Sequence, residues 1–254
     1  MFLQPNRTKA KLRRGEPVFG VINASDDPLW AELCGLAGFD YYILDGEHGL
    51  INPAAALHVV RACERVGITL LVRLALPDPK PILPYLDAGM MGVMVPGLET
   101  AEEVERLVAA VKYPPLGRRG IGLARAAAYM ARRGEASAYV AAANAETMVI
   151  IQFEDPALIE RLPALAAVPG VDAVMIGPRD LSLAMGFADG PNHPEVQAMI
   201  ERAIAACRQV GVVVGITAAT WAAAEAEVVR GVRMVLAAAP TLFLAASREF
   251  LLRL

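Results

Sequence analysis

The sequence is poor in cysteine and has no long apolar run. Its three cysteines, Cys34, Cys63 and Cys207, are scattered and form no CxxC pair, which argues against a disulfide framework and favours a reducing compartment such as the cytoplasm. The longest apolar stretch, 210–224, is interrupted and too short to span a bilayer. The basic start of the chain is not followed by the apolar region of a signal peptide. We therefore expect a soluble, cytoplasmic protein without a membrane partner.

The charge balance excludes another class of partner. The formal net charge is -3, which argues against a general nucleic-acid binder. One basic cluster lies on a short polar segment near the N-terminus, closed by Gly15 and Pro17. Its members are Arg7, Lys9, Lys11, Arg13 and Arg14. We expect a solvated helix face there rather than a nucleic-acid-binding arm.

Strand-like runs alternate with helix-like stretches along all 254 residues. The runs cover 17–24, 41–44, 69–74, 92–95, 148–153, 171–176, 212–217 and 233–237. They are too continuously apolar for half-exposed strands, as expected of buried parallel strands. Helices are predicted over 53–66 and 101–111 among others, with Thr100 and Glu103 at capping-box spacing. Eight such units without a linker predict one α/β domain over residues 1–254, a (β/α)₈ TIM barrel. A doubly wound sheet would favour fewer strands and a glycine-rich first turn, which this chain lacks.

Charged and polar side chains concentrate where the predicted strands end. In a barrel, functional groups lie at those ends. Glu154 and Asp180 follow neighbouring strands, and two carboxylates that emerge side by side suit a hard divalent cation. A surface turn at Glu154 and a helix cap at Asp180 are the structural alternatives. The further candidates are Asp45, Glu47 and His48 after strand two, Arg73 after strand three, Asp87 before strand four, Gln152 in strand five and Arg179 after strand six.

Several of these motifs together resemble the HpcH/HpaI aldolases, over nearly the whole chain. The matching segments are Asp45-Gly-Glu-His48, Arg73, 113–122, Gln152-Phe-Glu154, Gly177-Pro-Arg-Asp180-Leu-Ser and 185–195. The resemblance implies a barrel of the phosphoenolpyruvate/pyruvate type. It also implies a metal-dependent class II aldolase, which makes or cleaves a 4-hydroxy-2-oxo acid. The products of cleavage would be pyruvate or hydroxypyruvate and an aldehyde, formed through a metal-stabilised enolate.

The resemblance also implies a role for each candidate. Glu154 and Asp180 would hold Mg²⁺ or Mn²⁺, with Co²⁺ tolerated, and Gln152 with the backbone at Arg179 and Asp180 would bind the 2-oxo acid. The remaining roles are His48 as general base, Asp87 as the acid that raises its basicity, Arg73 as transition-state stabiliser, and Asp45 and Glu47 as groups that position water and His48. Each of three candidates also has a purely structural alternative. His48 could be a loop histidine, Arg73 an ion-pair partner, and Asp87 a residue that ends a helix.

The sequence bears on the alternative functions and on the acceptor aldehyde. Only four lysines occur, none within a predicted strand, which argues against a Schiff-base aldolase. A carbon–carbon lyase acting on a CoA thioester and a non-catalytic barrel protein are the alternatives. Arg179 stands where the family often has a small residue, which leaves the acceptor aldehyde open.

The segment 242–254 carries more apolar side chains than one helix face needs. We expect this C-terminal helix to pack on a neighbouring subunit. The resemblance implies a hexamer built as a trimer of dimers, with the loop 118–125 near an adjacent subunit's site.

Overall fold

Eight parallel strands close into a barrel in chain order, β1 pairing with β8. The computed structural model describes residues 4–131 and 136–252. The strands are β1 (Val18–Asn23), β2 (Tyr41–Asp45), β3 (Thr69–Arg73), β4 (Gly92–Val95), β5 (Met148–Phe153), β6 (Ala173–Ile176), β7 (Val213–Thr217) and β8 (Met234–Ala238). The predicted (β/α)₈ barrel is confirmed, and the strand ends differ from the predicted ones by two residues at most.

Helices connect the strands and return the chain to the start of the next one. They are α1 (Arg7–Arg13), α2 (Pro28–Leu36), α3 (Pro53–Val66), α4 (Pro79–Ala88), α5 (Ala101–Val111), α6 (Ala136–Glu146), α7 (Leu162–Ala166), α8 (Pro178–Ala184), α9 (Pro194–Gln209), α10 (Trp221–Val229) and α11 (Ala239–Leu251). Short 3₁₀ turns cover Arg125–Met130 and Pro156–Leu158. Both predicted helices have the expected bounds, and the Thr100–Glu103 capping box is formed, because each helix begins at a capping side chain.

The inside of the barrel is filled by side chains from alternate strand positions. Tyr41, Ile43, Leu71, Met94 and Met148 belong to one buried cluster there, since successive strand residues point to opposite faces. Tyr41 lies against Gly20, where a Cβ atom would stand 2.3 Å from the tyrosine ring. The Tyr41 hydroxyl donates to the carbonyl of Val235 at 2.7 Å. The barrel is therefore a packed core, and its chemistry is confined to its ends.

Helix α1 covers the end of the barrel at which the strands begin. Leu12 packs into the interior cluster, and Lys9 is buried, with Nζ 2.7 Å from Asp172 Oδ1. Lys11 pairs with Asp40 at 2.6 Å. The expectation of a solvated basic face was wrong for Lys9, because its partner comes from a distant segment, whereas the side chain of Lys11 stays 39% exposed.

Lys112 is a second buried lysine, and it lies close to Lys9. Lys112 Nζ donates to the carbonyl oxygens of Asn144, at 2.9 Å, and Thr147. Lys9 Nζ donates to the same Thr147 carbonyl at 3.1 Å. Burial, followed by the positive charge of Lys9, lowers the pKa of Lys112 to about 8. Two ammonium groups thus share one carbonyl oxygen.

The last two helices bury little of their surface within this chain. α10 buries Ala224 and α11 buries Ala239, while large apolar side chains of α11 and its end are exposed, namely Phe243, Leu244, Phe250, Leu251 and Leu252. An apolar cavity of about 350 Å³ lies beside them, lined in part by Phe19, Trp221, Val235 and Leu242. Within the two described ranges, no helix combines the length and apolarity needed to cross a membrane.

Candidate active site

The candidate residues from strands two, three, five and six meet at the mouth of the barrel, where the strands end. Asp45 and Arg73 are directly opposite each other in the β2–β3 register. Gln152 lies two residues beyond Ile150, which belongs to the interior cluster, so it faces the same interior. Asp45 is 6% exposed and Gln152 7%. The mouth is therefore built from side chains held by rigid strands.

Arg73 is bound by acidic side chains on one side of the mouth. Its Nε donates to Asp45 Oδ1 at 2.9 Å, and Nη2 donates to Oδ2 at 2.7 Å. Glu47 Oε2 lies 3.2 Å from Arg73 Nε but is not aligned as an acceptor, because that N–H points to Asp45. Burial raises the pKa of Asp45, but the hydrogen bonds and charge of Arg73 outweigh it and hold the pKa below its ordinary value. Arg73 is thus both an ion-pair partner and a fixed charge at the mouth.

The loop after β2 is organised by the same carboxylate. Asp45 Oδ1 accepts from the backbone N–H groups of Glu47, at 3.2 Å, and His48, at 3.3 Å. The carbonyl of Arg73 accepts from the N–H of Gly46 at 2.8 Å, and a Cβ at residue 46 would stand 2.8 Å from that oxygen. The turn therefore requires glycine at 46, and it presents His48 at the surface.

Gln152 and Glu154 form the opposite side of the mouth. Gln152 Nε2 donates to Glu154 Oε2, while the buried Gln152 Oε1 has no hydrogen-bond partner in the part of the chain that the structure describes. A Cβ at Gly177 would stand 3.3 Å from Gln152 Nε2 and 3.4 Å from Glu154 Oε2. Gly177 thus leaves the space that these two side chains occupy.

Burial and the negative charge of the mouth together raise the pKa of Glu154. Burial is the largest cause, and the carboxylates of Asp180 and Glu47 add to it, against the hydrogen bond from Gln152 and the charge of Arg73. The Arg73 guanidinium thus stands near three carboxylates, those of Asp45, Glu47 and Glu154, and Asp180 adds a fourth beside Glu154. A divalent cation held by Glu154 and Asp180 would relieve this repulsion. The donor set fits Mg²⁺ or Mn²⁺, although no group of three or more His, Cys, Asp or Glu residues is clustered as metal ligands in ranges 4–131 and 136–252.

Asp180 and Arg179 lie in the first turn of α8. The helix begins at Gly177, which offers no capping side chain, so helix capping does not explain Asp180. Both side chains are exposed. Arg179 has no ion-pair or hydrogen-bond partner among the described residues, unlike Arg73.

Asp87 does not join the other candidates within one chain. It lies in the last turn of α4, at the end of the barrel where strands begin, whereas His48 follows the end of β2. The Asp87 carboxylate accepts from Arg119 Nη2 at 2.8 Å. Arg119 is buried and stacks 4.6 Å from the centre of the Tyr113 ring. Asp87 and His48 are therefore at opposite ends of the same barrel.

Comparison with known proteins identifies the family. The family model described as HpcH/HpaI aldolase/citrate lyase matches residues 19–246. The chain belongs to that family. It is 37% identical over 246 residues to a 4-hydroxy-2-oxo-heptane-1,7-dioate aldolase from Escherichia coli, covering 97% of this chain and 93% of that protein. It is 41% identical over 219 residues to a hydroxypyruvate/pyruvate aldolase from Pseudomonas aeruginosa, covering 86% and 81%.

A solved structure extends the similarity to the fold. A crystal structure of an HpcH/HpaI aldolase/citrate lyase family protein from Burkholderia cenocepacia J2315 superposes with a TM-score of 0.90 and 32% identity, covering 98% of each chain. The expected family is confirmed. The expected enzyme class, a carbon–carbon lyase, is also confirmed, since the matched relatives are named as aldolases.

Two features of this family member were missed in the sequence. Thr217 ends β7, two residues beyond Gly215 and four beyond Val213, so it faces the mouth, and it is exposed. Counting alternate residues along β7 would have found it. The Asp87–Arg119 pair was also missed, because it joins residues 32 apart in sequence.

Proposed function

We propose that this protein is a divalent-metal-dependent class II aldolase that makes or cleaves a 4-hydroxy-2-oxo acid. The donor would be pyruvate or hydroxypyruvate, and the acceptor an aldehyde. The supporting observation is the convergence of Glu154 and Asp180 on a mouth that also holds a fixed guanidinium and an unpaired buried amide oxygen. The names of the aldolase relatives support the same reaction class.

The chain's own residues would position the donor. Glu154 and Asp180 would hold Mg²⁺ or Mn²⁺, with Co²⁺ tolerated, and the bound cation would supply Lewis acidity at the keto oxygen. Gln152 and the backbone at Arg179 and Asp180 would bind the 2-oxo acid. The first-turn N–H groups of α8 receive no hydrogen bond from a capping side chain. They are therefore free to donate to the carboxylate of the 2-oxo acid.

Arg73 and His48 would act on the developing charge and the moving proton. Arg73 is oriented by two hydrogen bonds that it donates to a buried carboxylate, so its charge would be preorganised beside the donor. His48 stands on the turn that Asp45 organises and would take the proton from the carbon next to the keto group. Asp45 and Glu47 would position water and His48.

Asp87 can raise the basicity of His48 only from a neighbouring subunit, because the two lie at opposite ends of one barrel. A hexamer built as a trimer of dimers would allow this, with the 118–125 loop close to the adjacent site. The exposed apolar face of α11 supports packing against another copy. A cytoplasmic location stays a proposal that the free, buried cysteines favour.

The test is proton NMR of pyruvate in D₂O, with the protein first in EDTA and then in added Mg²⁺ or Mn²⁺. Metal-dependent loss of the methyl signal is expected, because proton removal from the donor needs no acceptor. Loss of the signal with EDTA present would contradict the metal requirement. No exchange with any metal would overturn the pyruvate donor and leave a CoA-thioester lyase or a non-catalytic barrel.

A further inference from the structure

Two arginines at opposite ends of the barrel are each paired with an aspartate, and the two pairs differ in geometry. Arg73 donates to Asp45 through both Nε and Nη2, so both oxygens of that carboxylate are bound. Arg119 donates to Asp87 Oδ1 through Nη2 alone, at 2.8 Å. The buried Nε of Arg119 has no hydrogen-bond partner among the described residues, and none of those residues donates to Asp87 Oδ2. The second pair is therefore only half made.

Arg119 is held in place from the buried side. Its side chain is 2% exposed, against 25% for Asp87, and its guanidinium carbon lies 4.6 Å from the centre of the Tyr113 ring. The backbone N–H of Arg119 donates to the carbonyl of Lys112 at 2.9 Å. Tyr113 is fixed in turn by Asn144, whose side chain accepts from its N–H at 2.7 Å and donates to its carbonyl at 3.0 Å. The guanidinium is thus a rigid support for the Asp87 carboxylate.

The free oxygen of Asp87 lies beside an exposed glycine. A Cβ at Gly122 would stand 3.9 Å from Asp87 Oδ2 and would meet no closer atom. Gly122 is exposed and has no side chain that could cover the carboxylate. Asp87 is therefore bound on its buried side and open to a hydrogen-bond donor from outside the chain.

A closed pair would stabilise this chain more, because a guanidinium that binds a carboxylate through two parallel hydrogen bonds leaves neither group unsatisfied. The half-made pair instead keeps one carboxylate oxygen free at a fixed position. We propose that Arg119 is a positioning residue, which holds Asp87 by one oxygen so that the other meets His48 of a neighbouring subunit. This inference rests on the proposed aldolase function, in which Asp87 raises the basicity of His48, and adds the residue that orients Asp87.

The experiment measures exchange of the pyruvate methyl protons with Mn²⁺ in assembled Arg119→Met. The maximal rate should fall by about tenfold to a hundredfold, because a displaced carboxylate no longer meets the base. KM for pyruvate and the affinity for Mn²⁺ should stay at wild-type values, because other residues bind the donor and the cation. A wild-type rate, or a change in KM alone, would overturn the proposal.

Arg119→Lys is the conservative variant, and it keeps the buried charge if Arg119→Met does not assemble. We expect its rate to lie above that of Asp87→Ala and below that of the wild type. An ammonium can make the single hydrogen bond to Asp87 but lacks the planar shape that packs on the Tyr113 ring. A wild-type rate in Arg119→Lys would show that charge without position is sufficient, and would overturn the positioning role.

Mixed oligomers distinguish positioning from a general loss of stability. Oligomers assembled from Arg119→Met and His48→Ala should regain exchange, because some sites then combine an intact His48 with an intact Asp87–Arg119 pair. Oligomers of Arg119→Met and Asp87→Ala should not regain it, because neither chain carries an intact pair. Recovery in the second mixture, or none in the first, would overturn the role of Arg119.

Lys9→Met is the matched control. It also breaks a buried ion pair at the end of the barrel where the strands begin, since Lys9 Nζ lies 2.7 Å from Asp172 Oδ1. Asp172 has no proposed role in a neighbouring site, so this variant should unfold at a lower temperature and keep the wild-type exchange rate. An equal loss of rate in Lys9→Met would mean that any broken pair at this end has the same effect, and would overturn the role of Arg119.

Two further measurements separate this failure from failure of the proposed function. If the wild type shows no exchange with any metal, the aldolase proposal is wrong, and the Arg119 inference is overturned with it. If the wild type shows exchange but His48→Ala and Asp87→Ala do not complement each other, the placement of Asp87 in a neighbouring site is wrong, together with the role of Arg119. If they complement each other and Arg119→Met is unimpaired, the Arg119 inference alone is wrong.

Discussion

Asp45 and Arg73 are cross-strand neighbours in β2 and β3, joined by two hydrogen bonds of 2.9 and 2.7 Å. Arg73→Met would leave Asp45 buried without its counter-charge, and we expect a loss of about 3–5 kcal/mol in the free energy of unfolding. Asp45→Leu combined with Arg73→Met should lose less than Arg73→Met alone, because no unpaired charge remains. Urea unfolding checks this. If the double variant instead loses the sum of the losses of Asp45→Leu and Arg73→Met, the two residues are not energetically coupled.

The proposed metal ligands can be separated from the proposed base by calorimetry. Glu154→Gln and Asp180→Asn should each weaken Mn²⁺ binding by at least about tenfold, since each removes one of two charged ligands. His48→Ala should bind Mn²⁺ like the wild type while losing pyruvate proton exchange. Equal loss of Mn²⁺ binding in all three variants would show that the roles are wrongly assigned.

The separation of Asp87 and His48 predicts complementation between subunits. His48→Ala and Asp87→Ala should each be impaired alone. Oligomers assembled from both variants should regain activity, because some sites then combine an intact His48 with an intact Asp87 from a neighbour. Mixing His48→Ala with Glu154→Gln is the control. Both of those residues belong to one barrel mouth, so no mixed site is complete, and recovery there would contradict the arrangement.

The buried Lys112 predicts a stability that rises with pH in the alkaline range. Its pKa is about 8 in the fold, against an ordinary value of 10.5, so the unfolded chain binds the proton more tightly. The free energy of unfolding should therefore increase between pH 8 and 10.5, relative to Lys112→Met. Urea unfolding over this range measures the difference. Lys80→Met removes an exposed lysine, so its free energy of unfolding should change with pH as that of the wild type does. If the difference in free energy of unfolding between the wild type and Lys112→Met stays constant with pH, the prediction is wrong.

Gly20 is required by the ring of Tyr41. Gly20→Ala would place a methyl group 2.3 Å from that ring, and overpacking should lower the free energy of unfolding by about 1–3 kcal/mol. Gly120→Ala is the matched control, because nothing lies within 4 Å of a Cβ there. It should change stability by no more than about 0.5 kcal/mol. Equal effects in thermal unfolding would mean that packing against Tyr41 is not the cause.

The barrel was predictable because each buried strand is a continuous apolar run and because capping residues mark the helix starts. The mouth was predictable in part, since Asp45, Arg73 and Glu154 stand at strand ends, where a parallel barrel collects its side chains. Local sequence could not show that Lys9 is buried, since its partner Asp172 is 163 residues away by their numbers. Placing Asp87 required knowing which end of the barrel the last turn of α4 reaches.

Helix α1 has a consequence for how the chain folds. Some of its docking contacts are with residues far along the chain: Asn6 with Glu146, and Lys9 with Thr147 and Asp172. During synthesis these partners emerge long after the helix itself, so α1 lacks part of its docking surface while the first strands assemble. Closing the barrel is then a late, long-range event, of the kind that slows folding and leaves an intermediate open to association.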